Sequence, residues 1–134
     1  MNPYMYPGLD HRVSMAFKRT VMMPDEIIEH ILEKVCQFYG IPKKVVVSKL
    51  RKREVVQARQ QYCWIMKEGY NSNATLKRIG SFVGKLDHST VIHACDTVND
   101  LKDTDKGYRS ELSKLLNILN NDEYLIDSLK VLEV

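Results

Sequence analysis

Residues 71–98 read NSNATLKRIGSFVGKLDHSTVIHACDTV, and the punctuation of this stretch decides the fold. Asn73 or Thr75 can cap a short helix carrying Leu76, Ile79 and Phe82, because a short polar side chain accepts a hydrogen bond from an otherwise unsatisfied first-turn amide. Gly84 supplies a tight turn, and Asp87 or Ser89 can start a second helix through Val91, Ile92, Ala94, Cys95 and Val98. Short helix, glycine turn and longer helix is the helix-turn-helix order. Helical hairpins of similar spacing also occur in proteins that bind no DNA, so the pattern by itself supports a scaffold and a DNA reader equally.

Working outward, the same helical period continues on both sides. Pro24, Asp25 and Glu26 form a helix start with acidic groups at the positive end of the dipole, and Ile27, Ile28, Ile31, Leu32, Val35 and Phe38 follow until Gly40 stops the run. Pro42 opens a short segment through Val45, Val46 and Val47, read as a helical turn because it is bounded too tightly to find strand partners. Ser48 to Arg53, SKLRKR, is a basic connector. Glu54 to Glu68 is a long helix carrying Val55, Val56, Arg59, Tyr62, Cys63 and Met66, with Gly69 at its end. Beyond Asp103 a polar break precedes a helix from Tyr108 to Leu119 with Leu112, Leu115, Leu116 and Leu119 on one stripe, and a last short helix spans Glu123 to Leu132. The expected fold is all-α: a compact multi-helix domain with a helix-turn-helix, plus a C-terminal helical extension. Residues 1–23 read as a flexible leader, 24–104 as the helix-turn-helix domain and 105–134 as an acidic helical extension.

The chain has 134 residues, enough for one core, and no apolar run approaches the roughly 18 residues of a membrane span. Its first residues lack the long apolar stretch of a secretory signal, so a cytoplasmic, nucleoid-associated protein is expected. Cys36, Cys63 and Cys95 are odd in number, far apart and set in apolar patterns, which suits buried hydrophobes better than disulfides. The net charge of +3 hides an uneven distribution. Cations from Lys43 to Lys85 far outnumber Glu54, Glu68 and Asp87, whereas acidic residues prevail from Asp96 onward. A polyanion would meet the middle of the chain and avoid its end.

On a recognition helix, Asp87, His88, Ser89 and Thr90 would be short polar groups suited to base edges: an aspartate can accept from a cytosine amino group, and a threonine methyl can touch a thymine methyl. The plainer reading is that Asp87 caps the helix and its neighbours are ordinary first-turn residues. Lys49, Arg51, Lys52 and Arg53 in the connector could serve phosphates or enter a minor groove as a flexible arm, or form a solvated basic loop. No phosphate-binding G-x-x-x-x-G-K-[ST] loop is present. The nearest stretch, Gly80 to Leu86, has one residue too few between its glycines and a leucine where a hydroxyl is needed. His88, His93 and Cys95 lack zinc-ligand spacing. No cofactor, metal or catalytic constellation is expected. Tyr62, Trp64 and Phe82 fall on apolar stripes and read as packing residues.

The stretch from about Ile27 to Leu101 resembles the C-terminal DNA-binding domain of the bacterial replication initiators of the DnaA family. Gly84-Lys85-Leu86-Asp87-His88-Ser89-Thr90-Val91-Ile92-His93-Ala94 is similar to the family pattern G-x-R-D-H-[ST]-T-V-x-H-A, with Asp87, His88, Ser89, Thr90, Val91, His93 and Ala94 in register. Ser48–Arg53 is similar to the family's basic loop, and Ala58-Arg59-Gln60 to the start of its long helix. The resemblance implies that Arg51 enters the minor groove, that Arg59 contacts DNA from the long helix, and that Asp87, His88, Ser89 and Thr90 meet the major groove. Lys85, in the turn, joins the DNA-facing set. Leu50, Gln57 and Leu86 stand where the family often has arginine and Ala58 where proline is usual, so affinity and preferred site are expected to differ from the family's norm. His93 and Ala94 are expected to face the core, with His93 satisfied by a neighbour.

The resulting expectation is a non-enzymatic protein that binds double-stranded DNA at a DnaA-box-like site and acts in replication initiation or its regulation. The chain begins with methionine, so a stand-alone protein is expected. The rival reading is a helical interaction module whose helix-turn-helix is scaffold. In either case the C-terminal helices would dock a replication protein or a second copy.

Overall fold

A computed structural model describes residues 25–69 and 75–122, which form α1 (Asp25–Tyr39), α2 (Lys43–Val46), α3 (Arg53–Gly69), α4 (Leu76–Ser81), α5 (His88–Thr104) and α6 (Lys106–Asn120). The described residues are all-α. The expected leader, a cap at Asn73 and a helix over Glu123–Leu132 lie outside them.

Several helix ends are closed by a side chain or a glycine that satisfies orphan backbone groups. The Asp25 and Glu26 carboxylates sit in the first turn of α1 and complement its dipole. At its other end Gly40 takes a φ of +66°, and the Gly40 and Ile41 amides turn back onto the carbonyls of Gln37 and Cys36 at 3.2 and 3.0 Å. This is a Schellman stop, and it needs a residue without a Cβ penalty in the left-handed region. Thr75 caps α4 by accepting from the Arg78 amide at 3.1 Å, and Asp87 caps α5 by accepting from the Thr90 amide at 2.8 Å. Asp105 does double duty: its amide closes α5 onto the Leu101 carbonyl, and its carboxylate caps α6 through the Tyr108 amide at 3.1 Å. The break between the last two helices is therefore a single residue, and α5 continues past Val98 to Thr104. The basic connector is likewise one residue shorter than Ser48–Arg53, because Arg53 already belongs to α3.

The core is one cluster to which every helix contributes. Ile28, Ile31, Leu32, Val35 and Cys36 recur at the spacing of one face of α1, and Leu112, Leu115, Leu116 and Leu119 do the same on α6. The central helix α3 differs: Gln61, Tyr62, Cys63, Trp64, Ile65 and Met66 are buried in succession, because α1, α2, α4 and α5 surround it. Burial all round brings polar atoms inside; the hydroxyl and indole groups find partners, whereas Gln61 Nε2 has none among the described residues. The Tyr62 hydroxyl donates to the Ile79 carbonyl at 3.0 Å, the Trp64 indole N–H donates to Asn99 at 2.9 Å, and the Tyr39 hydroxyl donates to the Gln61 side-chain carbonyl. All three cysteines are free and buried, as their apolar setting suggests. Burial raises the Cys95 thiol pKa to about 11 despite an opposing contribution from the nearby Lys67 charge.

Three further contacts fasten α6 and the residues after it to the rest. Arg109 donates to the Lys102 carbonyl at 2.7 Å, closing the C-terminal end of α5, and Asp122 approaches His30 at 3.0 Å and Lys34 at 3.5 Å on α1. For the site, the consequence is that α5 packs against α3, α4 and α6.

Candidate nucleic-acid interface

The helix-turn-helix is made by α4, the segment 82–87 and α5. Its geometry depends on two glycines. Gly80 accepts the Val83 and Leu86 amides at 3.2 and 3.1 Å, and a Cβ on it would lie 2.2 Å from the Leu86 carbonyl oxygen. Gly84 adopts a φ of +89°, and a Cβ there would lie 2.7 Å from the Val47 carbonyl oxygen. Lys85 follows in the left-handed region at φ +58°, so two consecutive residues reverse the chain and leave the lysine exposed. The turn thus packs against the basic loop, which brings two distant stretches of sequence to one surface.

That loop is held by the Ser48 hydroxyl and by Arg59. The Ser48 hydroxyl donates to the Val45 carbonyl at 2.6 Å and accepts from the Leu50 amide at 3.2 Å. Arg59 reaches back from the second turn of α3, its Nε donating to the Val46 carbonyl at 2.6 Å and one Nη donating to the carbonyls of Ser48 and Leu50 at 2.6 and 2.7 Å. The sequence suggests a flexible arm. The structure instead ties the backbone up to Leu50 through charge-assisted bonds from Arg59 to those carbonyls. Lys49 projects from this held backbone, Arg51, Lys52 and Arg53 follow it, and all four are exposed.

Across from the loop, Asp87, His88, Ser89 and Thr90 form the exposed start of α5. The Asp87 carboxylate accepts from the Thr90 amide and from the Ser89 hydroxyl at 2.9 Å. The Thr90 amide, then the Ser89 and Thr90 hydroxyls, lower its pKa from the usual 3.8. A depressed carboxylate stabilises the fold above its unfolded pKa, and this contribution is lost as pH falls through the folded value. The Thr90 amide resonance should therefore titrate with a midpoint below 3.8 in an NMR pH series, and Asp87→Asn should abolish that titration. A midpoint at or above the usual value would show that Asp87 is not the cap.

Between loop and helix runs a groove of about 330 Å³, lined by Arg51, Val56, Arg59 and Gln60 on one side and by Leu86, Thr90, His93, Ala94 and Thr97 on the other. Of the residues read from sequence, Arg51, Arg59 and Thr90 meet in this groove, whereas Lys49, Lys52, Arg53, Lys85, Asp87, His88 and Ser89 are exposed outside its lining. His93 corrects an expectation: it is exposed and lines the groove instead of facing the core, while Ala94 beside it is buried. Gln60 and Thr97 are lining residues that the sequence reading did not assign. A signal was there, since Thr90, His93 and Thr97 stand at i, i+3 and i+7 and share a helix face. Among the described residues no group of three or more histidines, cysteines or carboxylates could hold a metal ion, and no helix is long and apolar enough to cross a membrane.

A capped short helix, a glycine turn and a long helix whose first turn is exposed beside a basic loop define a helix-turn-helix protein. A family profile described as the bacterial DnaA protein helix-turn-helix matches residues 28–98, and the chain belongs to that family. It is 39% identical over 92 residues to the chromosomal replication initiator protein DnaA of Bacteroides fragilis and 40% identical over 92 residues to that of Bacteroides thetaiotaomicron. Both alignments cover 69% of this chain and 19% of the relative. The initiator of Flavobacterium psychrophilum is 39% identical over 94 residues, covering 68% of this chain and 19% of the relative. The chain thus spans about a fifth of the length of the curated relatives it matches.

Proposed function

We propose that this chain binds double-stranded DNA site-selectively, at a DnaA-box-like sequence, and serves replication initiation or its regulation without ATPase activity of its own. The observation that carries this reading is the juxtaposition of Arg51 and Thr90 across one groove, with the exposed first turn of α5 on one side and the basic loop on the other. A helix start of short polar side chains fits a major groove, and an arginine displaced to its side fits the adjacent minor groove. Asp87, His88, Ser89 and Thr90 are the proposed base-facing set. Lys49, Lys52, Arg53 and Lys85 would neutralise phosphates and set the register without reading sequence. Family membership supports the same assignment. Residues 24–104 would carry the DNA contacts, and the acidic 105–134 segment would stay off the duplex and be available to a replication protein or a second copy.

Fluorescence anisotropy on duplexes with and without a DnaA-box-like site, across a salt series, tests the proposal. Site-selective binding should weaken with salt, and Arg51→Ala should cost about 1–3 kcal/mol, roughly fivefold to 150-fold in affinity. Equal affinity for both duplexes, or an unaffected Arg51→Ala variant, would sink the site-reading role and leave the helix-turn-helix as scaffold for a protein partner.

A further inference from the structure

We propose that Arg59 is a positioning residue for DNA recognition, which presents Arg51 by clamping the carbonyls of Val46, Ser48 and Leu50, and is not itself a phosphate ligand. The inference rests on the DNA-binding reading above and departs from the role that the family resemblance implies for this residue. Arg59 Nε and one Nη already make three hydrogen bonds of 2.6, 2.6 and 2.7 Å, all to backbone oxygens of one short segment. A guanidinium is a planar fork with fixed donor directions, so a segment bound at three points inherits its geometry. The Leu50 carbonyl is the last anchor, one residue before Arg51. The clamp therefore ends where the exposed side chain begins.

The opposite side of the loop is closed by the helix-turn-helix itself, because Gly84 approaches the Val47 carbonyl so closely that even a methyl group would collide with it. The Val46–Leu50 backbone is thus pinned between α3 and the turn, and the spacing between Arg51 and the start of α5 is set before any ligand arrives. Preorganisation of this kind lowers the entropy lost on binding and so appears as affinity. The electrostatics point the same way. Arg51 and Arg59 lie close enough for their charges to repel, and burial together with that repulsion lowers the Arg59 pKa. Directing the Arg59 charge into carbonyl oxygens leaves Arg51 as the outward cation.

Arg59→Lys separates the two roles. A lysine keeps the charge and serves well as a phosphate ligand, but its single ammonium cannot reproduce a fork spread over Nε and Nη. The clamp predicts at least a tenfold loss of site-selective affinity in Arg59→Lys, with the slope of log K against log salt unchanged. A lost phosphate contact would flatten that slope by about 0.9. In the free variant, hydrogen exchange at the Leu50 amide should accelerate while α5 amides keep their protection. A wild-type measurement covers the case of a variant that does not fold: the Arg59 Nε–H resonance should be protected in the free protein and shift little on adding duplex. Near wild-type affinity in Arg59→Lys, a flattened slope, unaltered loop exchange, or a large Nε–H shift on DNA would each overturn the inference. If the wild-type chain binds no duplex, the functional reading fails, while loop exchange and the Nε–H resonance still decide the clamp.

Discussion

Gly80→Ala lowers the melting temperature by roughly 10 °C, although helix propensity alone predicts the opposite sign. Alanine is favoured over glycine within a helix by about 1 kcal/mol. Here the added methyl would meet the Leu86 carbonyl oxygen at 2.2 Å and the Leu86 carbonyl carbon at 3.0 Å. Overpacking costs about 1–3 kcal/mol where side chains can adjust. The obstacle here is backbone, so the cost falls at or above the top of that range and outweighs the propensity gain. A net loss of about 2 kcal/mol corresponds to the stated shift for a domain of this size. The variant also pushes on Leu86, the residue before the Asp87 cap, so DNA affinity should fall even well below the melting temperature. Thermal denaturation by circular dichroism gives the first result and anisotropy the second. An unchanged or raised melting temperature would mean that the turn relaxes freely and that close packing of α4 against it is not what orients α5.

Leu115→Ala should destabilise the whole domain by about 2–5 kcal/mol, while Ile118→Ala, three residues on, should stay within about 0.5 kcal/mol of wild type. Leu115 is fully buried and Ile118 is 45% exposed, so the pair contrasts core and surface on one helix. The expected observation is a single denaturation transition, lowered in midpoint by Leu115→Ala when followed by either helical signal or Trp64 fluorescence. That result would place α6 in the same cooperative unit as α3 and α5, in keeping with its contribution to the shared core. A transition in which Trp64 is unaffected would instead make residues 105–134 a separable extension.

The helices were legible because their signals are local. One face of α1 and one face of α6 repeat apolar residues at helical spacing, Gly40 needs the left-handed region, and Thr75 and Asp87 are cap residues at the places where the structure uses them. The family pattern around Asp87–Ala94 added the DNA-reading role, which the helix-turn-helix spacing alone leaves open against a scaffold. His93 was misplaced because two buried neighbours, Ala94 and Cys95, mask the polar face that it shares with Thr90 and Thr97. Burial of α3 on all sides was hidden for a related reason: Gln61 breaks the apolar run, yet it lies inside, where its side-chain carbonyl accepts from the Tyr39 hydroxyl.

The sequence by itself determined the helical class, the order of the helices, the capped turn and the presence of a basic loop, since each depends on residues within a few positions of one another. The tertiary structure decided where the Arg59 guanidinium points, which groups meet across the groove, and why Gly80 and Gly84 cannot carry a side chain. Those outcomes depend on which backbone atoms of distant segments come within hydrogen-bonding or van der Waals reach, and that distance is set only when α3 and α5 pack together around the common core.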